Sequence, residues 1–291
     1  MANLKEIRTR IVSVNSTMQI TSAMKMVSAA KLKRAQDAVT RMRPYAEKLQ
    51  EILSNVSSSL ESGEGAYSKQ REVKNILVVA ITSNRGLCGG FNNNVMKDIR
   101  SALRTDYANA NVKILSLGKK ASDTYKRTGN HYHEGFGDTP YSIFDHLTFD
   151  NTSAIAAEIM KQFTDGKFDK VVLVYNKFKN AAVQILMRED YLPVSPPVGS
   201  SKTTRTDYIF EPEKEQIIQE LIPRSLKVQL FKALLDSQAA EHGARMTAMH
   251  KATDNAGEMV KELKLTYNKA RQAAITGEIL EIVAGAEALN G

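Results

Sequence analysis

The stretch Ser83-Asn84-Arg85-Gly86-Leu87-Cys88-Gly89-Gly90-Phe91-Asn92 is the part of the chain best suited to hold a phosphate. Glycines directly after a buried strand let the backbone approach a ligand, and the helix that follows presents unpaired amides to an anion. The spacing, however, fits neither G-x-G-x-x-G nor G-x-x-x-x-G-K-[ST], and no lysine is placed to meet a terminal phosphate. A tight strand-to-helix turn that needs positive φ explains the same glycines without a ligand, and that reading is preferred. His131 and His133 would share one face of a strand, a spacing open to metal binding, but no cysteine or second ligand pair stands nearby. Cys88 is the single cysteine, so an internal disulfide is excluded. It lacks the setting of a nucleophile and fits a buried or merely tolerated thiol in a reducing compartment. No carboxylate pair stands out from the charge spread along the helices. The expectation is a chain with no catalytic residue, no cofactor and no metal of its own.

The elements that carry these residues alternate. Asn75 to Thr82 is a short continuous apolar run, the mark of a strand buried on both faces. Val95, Ile99 and Leu103 then repeat at helical spacing. Val112 to Gly118 predicts a second strand, Lys119 to Arg127 a helix, and Thr152 to Phe163 a helix with Ile155 and Ile159 on one face. Lys170 to Tyr175 predicts a third strand and Ala181 to Arg188 a fourth, before a proline-rich stretch from Leu192 to Gly199. Strands alternating with helices imply right-handed crossovers and a parallel sheet.

Both ends of the chain read differently. Leu4, Ile7, Ile11, Val14, Met18, Thr21, Lys25, Ser28, Leu32, Ala35, Val39, Met42, Ala46, Leu49, Leu53, Val56 and Leu60 follow one another at alternating steps of three and four. So do Val228, Phe231, Leu235, Gln238, His242, Arg245, Met249, Ala252, Ala256, Met259, Leu263, Thr266, Ala270, Ala273, Gly277, Leu280 and Ala284. Such a period, held that long, keeps one narrow stripe facing a partner helix. Two such helices in one chain pair most simply with each other, antiparallel. Pro44 removes one backbone bond and should bend the first helix without ending it, because the pattern continues in phase through Ala46 and Leu49. The segments expected are 1–60 for the first coiled-coil helix, 61–211 for the globular α/β part and 212–291 for the second helix. Ser62-Gly63-Glu64-Gly65 punctuates the first boundary, and Phe210-Glu211-Pro212-Glu213 gives the second helix an acidic, proline-marked start.

The chain has 291 residues, 42% of them hydrophobic, with a net charge of +8. Those values fit a folded protein rather than a disordered one. No window approaches the roughly 18 consecutive apolar residues of a membrane span. The start MANLKEIRTRIVSV lacks the apolar centre of a secretory signal and flows straight into the helical repeat. Residues 1–60 hold ten Lys/Arg against four Asp/Glu, whereas residues 212–291 hold ten against eleven. The first helix is therefore the basic one. Acidic residues interrupt it and no aromatic stacking pattern accompanies it, which favours an acidic protein surface over nucleic acid as its partner.

Three runs are specific enough to carry a resemblance. Ile20-Thr21-Ser22-Ala23-Met24-Lys25-Met26-Val27-Ser28-Ala29-Ala30-Lys31-Leu32, Ile81 through Asn92, and Tyr267-Asn268-Lys269-Ala270-Arg271-Gln272-Ala273-Ala274-Ile275-Thr276-Gly277-Glu278-Ile279 closely resemble the gamma subunit of F-type ATP synthases, in the right order across the whole chain. The resemblance implies a long antiparallel two-helix coiled coil formed by the N- and C-terminal helices, plus a small Rossmann-like α/β domain with a mainly parallel sheet. It implies the central shaft of a proton-driven rotary motor, peripheral to the cytoplasmic face of a bacterial inner membrane. Its partners would be the alpha and beta subunits of the catalytic head, the epsilon subunit and the ring of c subunits. Nucleotides would be converted on the alpha/beta interfaces. By the same resemblance, Met24, Lys25 and Arg245 lie level with the acidic lever loop of beta, and Gln272, Thr276 and Glu278 meet the collar of the catalytic ring. Gly277 stands where many members carry Gln, and glycine costs a helix interior about 1 kcal/mol relative to alanine. Two rival readings differ in class: a nucleotide-dependent enzyme with a helical arm, and a coiled-coil adaptor for nucleic acid.

One geometric expectation follows from levelling the two helix ends. Paired positions then sum to about 270 at equal rise. That places Lys25 opposite Arg245, and the polar interruption Thr21–Ser28 opposite Gln238–Arg245. It leaves everything beyond roughly residue 268 unpaired, with Ile275, Ile279, Ile282 and Val283 bare.

Overall fold

The computed structural model describes residues 4–57, 66–137, 139–194 and 214–290. The punctuation at 62–65 and the proline-marked start at 210–213 lie outside the described residues. The chain forms two compact units, Met1–Ser28 with Met246–Gly291, and Ala29–Arg245. Two long helices contribute to both: α1, Leu4–Ser57, and α6, Lys214–Asn290. Helix α1 runs through Pro44 without ending, as its uninterrupted repeat predicts.

The larger unit is built on five strands: β1 Asn75–Ile81, β2 Asn111–Leu117, β3 His131–Tyr132, β4 Lys170–Phe178 and β5 Gln184–Leu192. Their order is β3-β2-β1-β4-β5, with β5 antiparallel to β4 and the other pairings parallel. The sheet is mainly parallel, as its apolar runs predict. The expected fourth strand at 181–188 lies instead at 184–192. Asn180 accounts for part of that shift, since its Oδ1 accepts from the amides of Ala182 and Val183 and holds the preceding residues in a turn.

Side chains alternate across the sheet into two cores. On one face Ile76, Val78 and Ala80 of β1 meet Val95 and Ile99 of α2, Phe91–Arg104, and Ala121 and Tyr125 of α3, Lys119–Tyr125. On the other, Leu77, Val79 and Ile81 meet Ile155, Ile159 and Phe163 of α5, Phe149–Thr164, and Leu226, Leu230 and Leu234 of α6. A short α4, Thr139–Ser142, completes the elements. Burying both faces explains why these strands read as continuous apolar runs. Gly118 shows how closely β2 and β1 end together: at φ 109° it has no Cβ, and one would sit 2.2 Å from the Thr82 carbonyl oxygen.

In the smaller unit the helices pair antiparallel. Thr21 Oγ1 lies 2.8 Å from Thr253 Oγ1, and Lys25 Nζ lies 3.4 Å from His250 Nδ1. A Cβ on Gly257 would lie 3.8 Å from Met18 Sδ. Paired numbers therefore sum to 274–275, about one helical turn beyond the expected 270. Side-chain fit sets the register, the small Gly257 receiving Met18 and two threonines sharing a bond, and the helix ends do not. The C-terminal seam also drifts: Val260 is buried while Met259 is 46% exposed.

Candidate functional site

In an open sheet of this kind, ligands bind outside the carboxyl ends of the strands where the strand order reverses, which here is between β1 and β4. The glycine-rich turn stands at that crevice, as its position after β1 predicts. Several of its polar groups bond within the turn. Asn92 Oδ1 accepts from the Ser83 amide at 2.9 Å, Asn92 Nδ2 donates to Ser83 Oγ at 2.8 Å, and Ser83 Oγ donates to the Arg85 carbonyl at 2.6 Å. Cys88 is buried beside Asn92 Nδ2, and burial pushes its thiol up from the usual range. Leu87 and Gly89 both take left-handed φ values near 60°.

Helix α6 fills the crevice. Arg245 Nη2 donates to the carbonyls of Arg85 at 3.0 Å and Gly86 at 3.3 Å, and Nη1 donates to Glu241 Oε1 at 2.6 Å. The turn thus offers carbonyl oxygens to a cation, the opposite of an amide cradle for phosphate. On the β4 side, Gly243 approaches so closely that a Cβ there would lie 3.1 Å from the Ala181 carbonyl oxygen. Arg245 is only 8% exposed. Burial pushes the Glu241 carboxyl up, with the Arg245 guanidinium pulling the other way. Burial also holds the His242 imidazole down at about 4, so it is neutral near pH 7, and Arg245 and Lys31 add to that shift. Nearby, Asp236 is wholly buried, and among the described residues neither carboxylate oxygen has a hydrogen-bond partner. Burial raises its carboxyl, while Arg43, Lys232 and Lys177 pull it down.

The residues expected to meet partners are dispersed. Lys25 is half-buried against His250, and Met24 is half-buried beside it. Arg245 is bonded to Arg85, Gly86 and Glu241, so the expected Lys25–Arg245 juxtaposition gives way to two separate settings. The polar interruption at Thr21 and Lys25 meets Thr253 and His250, not Gln238–Arg245. Gln272, Thr276 and Glu278 are exposed along α6. In the observed register residue 271 faces residue 4, so about twenty residues, some 30 Å of α6, run on without a partner from α1. There Ile275, Ile279, Ile282 and Val283 are exposed, Ile282 by 71%. Sequence reasoning passed over Glu241, Gly243 and Asp236. The one available signal was Glu241 four residues before Arg245, the spacing of an ion pair on one helix face.

His131 and His133 do approach, with ring centroids 5.2 Å apart, and His131 Nε2 lies 3.3 Å from Tyr141 Oη. Among the described residues no group of three His, Cys, Asp or Glu could hold a metal ion, and no helix is long and apolar enough to cross a membrane.

A family model described as ATP synthase matches residues 3–289. The ATP synthase gamma chain of Flavobacterium johnsoniae is 62% identical, with all of both chains covered. Among solved structures, a chain of the Tetrahymena thermophila mitochondrial ATP synthase central stalk and c-ring is 28% identical at a TM-score of 0.57, covering 80% of this chain and 99% of that one. A chain of the Euglena gracilis mitochondrial ATP synthase in rotational state 3 aligns at a TM-score of 0.68 and 21% identity, covering 98% of this chain and 94% of that one, and shares the fold. Two long terminal helices, a mainly parallel sheet whose crevice is closed by the chain itself, and full-length identity to gamma chains agree: the chain belongs to the ATP synthase gamma chain family.

Proposed function

We propose that the chain is the central rotor shaft of an F-type ATP synthase, turning with the c ring and biasing the conformations of three alpha/beta catalytic interfaces in sequence. A shaft shifts a neighbour's equilibrium only through contacts that differ between that neighbour's states. Stiffness and a few distinct exposed side chains suffice, and reactive groups are not needed. The globular part carries the load from the ring of c subunits and holds the epsilon subunit, while the helices enter the catalytic head. The complex sits on the cytoplasmic face of a bacterial membrane, with this subunit peripheral.

The observation that carries this reading is the unpaired end of α6. Four branched apolar residues exposed along one free helix are a liability unless another protein encloses them. We assign that enclosure to the collar of the catalytic ring, with Gln272, Thr276 and Glu278 as its polar contacts. Met24 and Lys25 face the beta lever loops. Arg245 acts there through the 83–90 turn it holds, since its own guanidinium is bonded inside the protein.

The test is a crosslink in the assembled complex. Ile282→Cys, joined by a short bismaleimide to cysteines placed in the collar of alpha or beta, should give a gamma–alpha or gamma–beta product and stop ATP hydrolysis. Efficient capture by c or epsilon subunits instead, with hydrolysis intact, would overturn the placement.

A further inference from the structure

Two carboxylates stand where α6 crosses the sheet, and they are held differently. Glu189 of β5 has two donors: Tyr175 Oη donates to its Oε2 at 2.9 Å, and Gln229 Nε2 donates to its Oε1 at 2.7 Å. Asp236 lies about two helical turns on from Gln229. It is wholly buried, and among the described residues neither of its oxygens meets a donor. A buried polar group without a partner is uncommon enough to require a cause. The rotary role leaves Asp236 unused.

Cations are nonetheless close, one from each of three elements: Arg43 of α1, Lys232 of α6 itself and Lys177 of β4. Glu189 of β5 opposes them, and Tyr175 of β4 stands near enough that Asp236 helps push its hydroxyl up. Lys232 and Lys177 are half-buried, whereas Arg43, the strongest of the three in its pull on the carboxyl, is exposed. The helix pairing within this unit brings Arg43 into range. Ala46 and Leu49 of α1 pack on Val228 of α6, so in an antiparallel pair Asp236 comes level with residues 38–41, and Arg43 stands within about one turn. Pro44, beside it, removes one backbone bond from α1, so a contact made by Arg43 would brace the helix at its weakest point.

We propose that Asp236 is a proton-operated tie between α1 and α6: neutral, it rests unbonded in the packed joint, and ionised, it takes the Arg43 guanidinium as its partner and fastens the two helices beside Pro44. The proton passes to water, and the guanidinium enters by a turn of its long side chain. Burial opposes charge on Asp236 and the three cations favour it, with burial the larger influence. The carboxyl therefore ionises above the ordinary value of about 4, so acid releases Arg43 and alkali engages it. Because the folded value lies above the unfolded one, stability falls as pH rises through it, and the Arg43 contact limits that loss. The tie lies within the larger unit and stands apart from the shaft reading.

The experiment uses the full chain, isotope-labelled at the aspartate carboxyl carbons and followed by NMR as pH is raised. Asp236→Asn removes one signal and so assigns it. Asp236→Glu removes the same signal while keeping the charge, and serves if the amide variant fails to fold. The expected result is a titration above the ordinary carboxylate value, with the Arg43 Nε–H signal moving at the same midpoint in the parent and staying fixed in Asp236→Asn. Arg43→Gln should raise the midpoint by about half a pH unit or more, and Arg43→Lys should restore most of that shift. Lys177→Gln and Lys232→Gln should each move it less. A carboxyl that titrates at the ordinary value overturns the proposal, as does an Arg43 signal indifferent to the transition. So does a midpoint that Arg43→Gln leaves in place, or that either lysine variant moves further than Arg43→Gln does.

Discussion

Helix α6 is one continuous element with two ways of being held. From Ile222 to Arg245 it is buried on most sides: Leu226, Leu230, Leu234, Ala239 and Ala240 are nearly or wholly inaccessible, and Asp236, Glu241 and Arg245 are buried with them. From Met246 onward only one stripe is covered, by Met249, Ala256 and Val260, and after about residue 271 not even that. The first stretch is a core helix of an α/β domain, fixed by apolar burial and by charges with few alternatives. The second is held by a shared threonine bond and a glycine notch, and its other faces stay open.

The comparison breaks most readily at Arg245. Replacing Arg245 with Ala leaves Glu241 buried without its partner and removes the donors to the Arg85 and Gly86 carbonyls. Loss of one member of a buried pair costs about 3–5 kcal/mol. Lys25→Ala, at a half-buried contact in the open stretch, should cost no more than about 1 kcal/mol. Denaturant unfolding of the two variants checks this. A cost below about 1 kcal/mol for Arg245→Ala would mean that the crevice is not held by the ion pair, and the two stretches of α6 would then differ in exposure only.

The same asymmetry shows how much could be read from the sequence. The two helices, three of the strands and the free end of α6 were legible, because apolar runs and seven-residue repeats report burial directly. The core character of residues 222–245 was not. A seam reading registers Val228, Leu235 and His242 and passes over Leu226, Leu230 and Leu234, which join the core against the sheet. Buried Glu241 and Asp236 look like ordinary helix-surface charge until the third dimension is known. The register slipped for a related reason: it depends on which small residue admits which large one, as Gly257 admits Met18, and a periodic pattern is nearly indifferent to a shift of one turn. Arg245 was singled out by resemblance, but the carbonyls it bonds belong to a turn 159 and 160 residues away.

A pH profile sharpens the comparison at intermediate size. His242 has a folded value depressed to about 4 by burial, so the unfolded chain binds its proton first as pH falls. Its contribution to stability is present above the unfolded value of about 6.5 and is lost as pH drops toward 4. With part of the ring exposed, that loss should be about 1–2 kcal/mol. Asp236 and Glu241 act with the opposite sign, since raised carboxyl values add stability as pH falls. The measurement is therefore the difference between the parent and His242→Gln, followed by unfolding from pH 7 to pH 4. The parent should lose its relative advantage across that window. A difference that stays flat would place the imidazole in water and loosen the packed stretch by one residue.

The smallest effect discriminates most finely, because it uses three glycines of the same helix as probes. Alanine should favour helix over glycine by about 1 kcal/mol at any interior position, so deviations from that gain report the surroundings. At Gly243 an added Cβ would meet the Ala181 carbonyl oxygen at 3.1 Å and its Cα at 3.2 Å, both backbone atoms of the β4–β5 turn. Overpacking of about 1–3 kcal/mol should outweigh the helical gain, and Gly243→Ala should come out net destabilising by about 1 kcal/mol. At Gly257 the nearest atom is Met18 Sδ at 3.8 Å, an ordinary contact, so most of the gain should appear in global stability. At Gly277 no atom of the described residues lies within 4 Å of an added Cβ, and α1 does not reach the helix there. Its gain should be spent locally, as slower amide exchange around residues 273–281 with the unfolding midpoint unchanged. Loss, global gain and local gain are three signs for one chemical change, ordered along α6 from the packed stretch to the free end. If Gly243→Ala stabilises as much as Gly257→Ala, the turn gives way to the helix, and the crevice is less tightly filled than the distances imply.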